Sequence, residues 1–403
     1  MKKSVGIIGG NGQMGQAMQA ILSAKGWDVH IADLDTKLSN KDLLDQSEII
    51  FFAVPVHCME SVAKDIAVDV SDRHILIHVC SIAEAPLEVM QEHCGTAGAL
   101  YYAHPMFDPS NWHNLPQTLV AQPEFFDDAR LGFLIEDLFE GIDFLRADAR
   151  EHDRMGSFVQ AVYQIMQVSL AASFAKMGLN PDLIFDYRAH PKFYALINFT
   201  KRLLVQDPVL FANIIYGSEQ ARKNTALFAR SFDSFANLNA RDFFAKWREA
   251  KEFYAKNYQQ AEKKVQAICT AFPCQKYGAD VFVTHELGEF PSTIQTVITL
   301  SMASILTQEK IPFEALKNFC PPGSIIVHDL ASSILNEKGV LALSEFSLTF
   351  FEVMEEILSE CTQGGREKFE EHFMRARNFF GIDACADAYE LTNEMVAYYK
   401  EMS

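Results

Sequence analysis

The run Val5-Gly6-Ile7-Ile8-Gly9-Gly10-Asn11-Gly12-Gln13-Met14-Gly15 decides the fold. Val5–Ile8 reads as a short buried strand, the glycines as a tight turn, and Gln13–Lys25 has the apolar spacing of a helix. Gly10, Gly12 and Gly15 form a G-x-G-x-x-G pattern, which has a mechanical meaning between a strand and a helix. Gly10 permits the tight turn, Gly12 lets a pyrophosphate approach the backbone, and Gly15 lets helix and strand pack closely. The helix N-terminus adds unpaired N–H groups and partial positive charge suited to phosphate. Asp33 ends the next apolar run, Val29–Ile31. A carboxylate there holds ribose hydroxyls and repels a 2′-phosphate, which favours NAD over NADP. The competing reading is a glycine turn in an α/β domain that binds no nucleotide.

The same alternation continues through the first third of the chain. Ile49–Val54, His74–Val79, Ala99–Ala103 and Thr118–Ala121 read as strands, with helical patterns at Met59–Val68 and Pro86–His93. Apolar strands separated by helices imply a mostly parallel sheet covered on both faces. Beyond Asp148–Glu151 the rhythm changes to long helical patterns at Met155–Met177, Tyr194–Val205, Pro208–Phe235 and Ala240–Phe272. The expected architecture is an α/β Rossmann-type domain over 1–149, followed by an all-α helical domain over 150–274. A linker at Pro273–Ala279 leads to a second helical domain over 279–403. That last part resembles the middle one. Val159-Gln160-Ala161-Val162 matches Ile294-Gln295-Thr296-Val297, Pro208-Val209-Leu210 matches Gly339-Val340-Leu341, and Phe243 to Tyr254 matches Phe369 to Phe380. The offset falls from 135 to 131 to 126 residues, as shortened helices or loops in a degenerate duplicate would produce. Similarity of composition alone is the alternative.

Composition narrows the function classes. The 403 residues carry 35 Lys and Arg against 53 Asp and Glu, a formal charge of −18, which argues against nucleic acid or an anionic membrane as partner. Every apolar stretch approaching about 18 residues contains a charge or turn signal, so no membrane span is expected. Eight cysteines without a C-x-x-C pair suit reduced thiols in a cytoplasmic protein better than disulfides or a cysteine zinc site. Ser81 and His104 follow strands, at the edge where parallel sheets bind ligands. In His104-Pro105-Met106-Phe107, apolar neighbours can hold a neutral imidazole, an acceptor for a hydroxyl proton during hydride transfer. A satisfied structural histidine is the alternative. Arg202 sits in an apolar helical run, where a buried guanidinium needs a substrate carboxylate or an internal acid such as Asp207.

Across roughly residues 3–268 the chain resembles the prephenate and arogenate dehydrogenases of tyrosine biosynthesis. It is most similar to the dehydrogenase half of the enteric bifunctional mutase–dehydrogenase. The motifs are Gly10–Gly15 with Gln13-Met14, Val54-Pro55-Val56-His57, His104-Pro105-Met106-Phe107, Glu151-His152-Asp153, Phe158-Val159-Gln160-Ala161, Gln206-Asp207-Pro208, and Ile214-Ile215 leading to Ser218-Glu219. The resemblance implies NAD-dependent oxidative decarboxylation of prephenate to 4-hydroxyphenylpyruvate, or of arogenate to tyrosine. By motif match His104 is the catalytic histidine, Ser81 lies near the hydroxyl and nicotinamide, and His93 lies beside the nicotinamide. Arg202 grips a substrate carboxylate, while His152 and Gln160 line the substrate cleft. Gln13, Met14, Val54 and Pro55 join Gly10, Gly12, Gly15 and Asp33 around the cofactor. Another NAD-linked reductase of similar architecture and a catalytically silent NAD-binding regulator remain as alternatives.

Four positions depart from the family. Ala83 replaces a lysine, Asp108 a glycine, Gln164 a second histidine and Tyr194 a further arginine. Loss of cations and gain of an acid weaken the hold on a dianion. Arogenate, prephenate held by other groups, and a drifted function all stay open. In the tail, Leu287-Gly288 stand at the positions of His152-Asp153, and Ser333 at that of Arg202. Family members pair through their helical domains. The tail is therefore expected to replace the partner subunit in a pseudo-dimeric monomer, with a homodimer through the helical domains as the alternative. From Val281 onward eight bases face 19 acids, too acidic for a chorismate mutase domain, and strand patterns are too few for an ACT-type regulator.

Overall fold

Successive side chains of the first strand, β1 (Ser4–Ile8), enter opposite faces of a sheet, and both faces are apolar because helices cover both. Val5 and Ile7 join one core and Ile8 the other. The structure, a computed structural model, describes residues 4–106, 109, 118–179, 191–236, 240–257, 290–309 and 345–401. Asp108, Pro273–Ala279, Leu287-Gly288, Ser333 and Gly339–Leu341 lie outside the described residues, as do the side chains of Tyr194 and Gln295. The chain divides into two compact units, 1–156 and 157–403. The division thus falls at Gly156, beyond the change of sequence rhythm near residue 150.

The first unit holds a sheet in the order β2-β1-β3-β4-β5-β6-β7. The further strands are β2 (Asp28–Ala32), β3 (Ile49–Phe52), β4 (Ile75–His78), β5 (Ala99–Pro105), β6 (Thr118–Ala121) and β7 (Asp143–Arg146). Strands β1 to β5 pair in parallel, β6 runs antiparallel to β5, and β7 is parallel to β6. On one face α1 (Gln13–Ala24) and α6 (Gly132–Leu138) cover Val5, Ile7, Phe51, Ile77 and Ala103. On the other, α2 (Asn40–Gln46), α3 (Met59–Ile66) and α4 (Glu84–Cys94) cover Ile8, Ile50, Phe52 and Leu76. The short α5 (Pro123–Asp127) follows β6, and α7 (Ala149–Gly156) closes the unit. All six expected strands are present. The further edge strand β7 has little signal in the sequence, because Asp143-Phe144-Leu145-Arg146 is short and mostly exposed, so pairing with β6 supplies its strand character rather than apolar alternation.

The second unit begins with a π-helical turn, Ser157–Val162, leading into α8 (Tyr163–Met177). From Tyr163 to Phe174 every residue of α8 is buried, as in a helix surrounded on all sides. The stretch Ala149–Met177 is therefore long and apolar enough to cross a membrane, contrary to the expectation of no such segment, but 83% of its apolar window is buried inside the protein. Helices α9 (Pro191–Val205), α10 (Pro208–Gly217), α11 (Glu219–Ala236) and α12 (Ala240–Asn257) follow. The single helical pattern expected over Pro208–Phe235 is broken at Ser218, whose backbone is extended and whose hydroxyl accepts the Ala221 N–H. The tail supplies α13 (Phe290–Gln308), α14 (Glu345–Gln363), α15 (Arg366–Phe380) and α16 (Ile382–Glu401). Packing between middle and tail helices is reciprocal: α8 lies on α14 and α15, α13 lies on α11 and α12, and α11 meets α14. The offset of 126 residues that carries Phe243 to Phe369 also carries the first residue of α11, Glu219, to that of α14, Glu345, and the first of α12, Ala240, to that of α15, Arg366.

At Gly15 an added Cβ would stand 2.4 Å from the Gly9 carbonyl oxygen. Gly15→Ala is expected to lower the unfolding free energy by about 1–3 kcal/mol, measured by urea denaturation, because backbone and not a flexible side chain must move.

Candidate active site

The glycine turn follows β1 where the chain order of the sheet reverses, since β2 lies on one side of β1 and β3 on the other. That reversal splays the flanking loops and opens a crevice at the strand carboxyl ends. The residue with positive φ is Gly9 (82°), not Gly10. Gly10 is needed for closeness instead, because a Cβ there would fall 2.5 Å from the Ile31 Cβ. At Gly12 the nearest atom to an added Cβ is the Gly9 oxygen at 3.3 Å, so its other side is open for a ligand. Gly12 caps α1 without a side-chain bond, and the first turn carries no acid, which suits an anion. Asp33 lies beside this turn: Oδ2 accepts the Asn11 N–H at 2.9 Å and Oδ1 accepts the Leu34 N–H at 2.8 Å. Val54 and Pro55 follow β3 on the same edge, with Val54 Cγ1 2.8 Å from a Cβ built at Gly9. This cradle fits a dinucleotide.

Three strand spacings from β1, about 14 Å along the sheet, β5 carries His104. His104 is 6% exposed and the ring behind it, His152, is 0% exposed. His104 Nδ1 lies 2.9 Å from His152 Nε2, and His152 Nδ1 lies 2.8 Å from Asp153 Oδ1. The Asp153 carboxylate also accepts the Ala83 N–H at 2.7 Å and the Glu84 N–H at 3.2 Å, the first backbone donors of α4. Helix α4 therefore binds this carboxylate at its positive end. The bonding orders the protons. An ionised carboxylate only accepts, so His152 Nδ1 carries a proton, and with one ring proton its Nε2 accepts from His104 Nδ1. The lone pair of His104 is thereby left on Nε2. The His104 pKa is held well below the usual imidazole range, first by burial and then by His152 and His78. Tyr102, also on β5, donates its hydroxyl to the Ala147 oxygen at 2.6 Å, and its ring centre lies 5.2 Å from that of His152 with the planes at 60°, which fixes the approach of α7.

Several expectations change. His152 does not line a cleft, because it is wholly buried behind His104. His93 lies in the last turn of α4 with Nε2 3.9 Å from Glu92. Helix α4 starts at the carboxyl edge and returns to the beginning of β5, so His93 sits at the sheet edge opposite the glycine turn, away from a nicotinamide. Ser81 is half-buried in the β4–α4 connection, one strand from His104. Where the family lysine is missing, the backbone of Ala83 holds Asp153. Asp153 and His78 were not singled out from sequence. Asp153 sits next to His152 in a quoted motif, but its role depends on α4 being nearby. His78, on β4, is pushed down to about 3 by burial and then by His152.

In the helical unit Gln160 lies on the π-helical turn and Gln164 is buried on α8. The Arg202 guanidinium on α9 lies 4.8 Å from the centre of the Tyr389 ring on α16. Asp207, the internal partner considered for it, caps α10 through the Val209 N–H at 2.9 Å.

The depressed pKa values have a direction in pH. The unfolded chain protonates His78 and His104 near 6.5, while the folded chain resists until far lower. Stability is expected to be full above about pH 6.5 and to fall as pH drops toward 3, with His78→Asn flattening part of that slope in urea unfolding.

Residues 15–113 match the family model of the prephenate dehydrogenase nucleotide-binding domain. The T-protein of Enterobacter agglomerans is 29% identical over 242 residues, 59% of this chain and 62% of that protein. An arogenate/prephenate dehydrogenase of Methanocaldococcus jannaschii is 27% identical over 233 residues, 52% of this chain and 51% of that one. The chain thus spans about half to three-fifths of the length of these relatives. Synechocystis arogenate dehydrogenase aligns in structure with TM-score 0.45 and 14% identity, over 63% of this chain and 99% of that one. In sequence the chain is thus similar to prephenate and arogenate dehydrogenases over about half to three-fifths of its length.

Proposed function

We propose that the protein is an NAD-dependent dehydrogenase that oxidatively decarboxylates prephenate or arogenate in the cytoplasm. The observation that carries this reading is the line from Asp153 through His152 to His104. It ends at the carboxyl edge of the sheet that bears the glycine turn. A bound NAD would supply the hydride acceptor, held by Gly10, Gly12, Gly15 and Asp33 with Gln13, Met14, Val54 and Pro55 alongside. His104 Nε2 takes the hydrogen bond, and then the proton, of the substrate hydroxyl. Burial keeps this imidazole neutral and ready to accept. His152 and Asp153 hold the tautomer and ring orientation, as an orienting acid does behind other catalytic histidines. Ser81 is the neighbouring hydroxyl, Arg202 the partner of a substrate carboxylate, and Gln160 a further substrate contact. Loss of carbon dioxide makes the ring aromatic and supplies the driving force, so positioning is the main task of the protein.

The tail is proposed to stand in for a second subunit, making one chain a pseudo-dimer. The reciprocal packing of α8 on α14 and α15, and of α13 on α11 and α12, supports this, because an isologous dimer repeats each contact with its partners exchanged.

Purified protein is expected to reduce NAD with prephenate or arogenate, followed by NADH absorbance. Silence with both while NAD still binds would favour the regulator. His104→Asn should lower kcat by about 10²–10⁴-fold with NAD affinity nearly unchanged; loss of both together would make His104 structural. Asp153→Asn should lower kcat at least about tenfold with little change in KM. The acid limb of kcat/KM should lie below the ordinary histidine range of about 6.5. Light scattering after size exclusion should give a monomer; an obligate dimer paired through residues before Phe272 would oppose the pseudo-dimer.

A further inference from the structure

Helices α14 and α15 form a hairpin closed by Gly364 (φ 83°) and Gly365. Glu356 and Glu360, four residues apart, share one face of α14. His372 of α15 turns Nε2 toward both, 3.8 Å from Glu356 Oε1 and 3.5 Å from Glu360 Oε2. One ligand atom from each residue lies within 4.8 Å of the other two. The His372 side chain is 7% exposed and that of Glu360 12%, yet Glu360 Oε2 and His372 Nδ1 have no hydrogen-bond partner. Glu356 is 50% exposed and gives the group an opening to solvent. Lys368 Nζ lies 3.5 Å from Oε1 of Glu360, leaving Oε2 on the histidine side.

The distances discriminate between two uses of this group. A charge-assisted N–H···O bond closes to about 2.7–2.9 Å, shorter than either separation here. Two ligand atoms sharing a tetrahedral zinc ion, each about 2.0–2.2 Å from it, stand about 3.4 Å apart. We propose that Glu356, Glu360 and His372 bind one divalent transition-metal ion of the zinc type, which ties α14 to α15. An imidazole nitrogen beside two carboxylates suits zinc better than magnesium or calcium, which take oxygen ligands. Three protein ligands leave a fourth position to water. The ion gives the buried Glu360 Oε2 a partner, and its charge offsets both carboxylates. This site is separate from the proposed dehydrogenase chemistry and stands or falls without it.

The test uses the full chain, stripped with chelator and titrated with zinc chloride by calorimetry. Wild type is expected to bind an equivalent of zinc that Glu356→Gln and His372→Gln lose or weaken at least about tenfold. Zinc should also raise the thermal midpoint of wild type and not of Glu356→Gln. Cobalt in place of zinc should give tetrahedral d–d absorption that Glu356→Gln abolishes. Because Glu356 is half-exposed, that variant decides the matter even if His372→Gln fails to fold. No bound equivalent in wild type, or zinc held equally well by Glu356→Gln, overturns the proposal.

Discussion

The carboxylate of Asp153 is the point on which the candidate site depends. It accepts from the first two backbone donors of α4 and from His152, so one side chain joins α7 to the start of α4 and fixes a ring proton. His104 is then oriented by His152 without touching Asp153 itself. Each group in this line is buried, and in a low-dielectric setting an unpaired member would be costly. The arrangement holds because every proton has a defined acceptor. Tyr102 contributes from the same strand as His104, binding the chain at Ala147 just before α7.

The sheet supplies the frame for that line. Order β2-β1-β3-β4-β5 puts the glycine turn, Val54-Pro55, Ser81 and His104 at the ends of four strands on one edge. Parallel pairing is what gathers them, because each helix returns the chain to the opposite edge before the next strand begins. The same rule carries His93 away from the cofactor edge, although its motif position suggested otherwise. Strand β5 meets an antiparallel β6, which ends the parallel run next to the catalytic candidate.

The helical unit is organised by packing between its middle and tail helices. Its tail helices contact the middle helices in exchanged pairs, the relation a twofold axis would impose. Arg202 illustrates the consequence, since the ring facing its guanidinium is Tyr389 from the last helix. In the proposed pseudo-dimer the tail keeps its apolar periodicity while most of the polar site positions have changed.

Much was legible in the sequence because it is local. The run Val5–Gly15 carries its own strand, turn and helix, and six strands were readable from continuous apolar segments buried on both faces. The glycine cradle and Asp33 are likewise set by a single βαβ unit. Other features depend on pairing between distant segments. Strand β7 exists through its register with β6, and positive φ falls on Gly9 because of the turn's path, while Gly10 is constrained by the neighbouring Ile31. The His104–His152–Asp153 line joins residues 48 positions apart. Sequence determined which residues were present and where the strands and helices with their own apolar pattern would form. Tertiary structure decided which of them share a proton line, because hydrogen bonds depend on sub-ångström placement that only the packed sheet and helices provide.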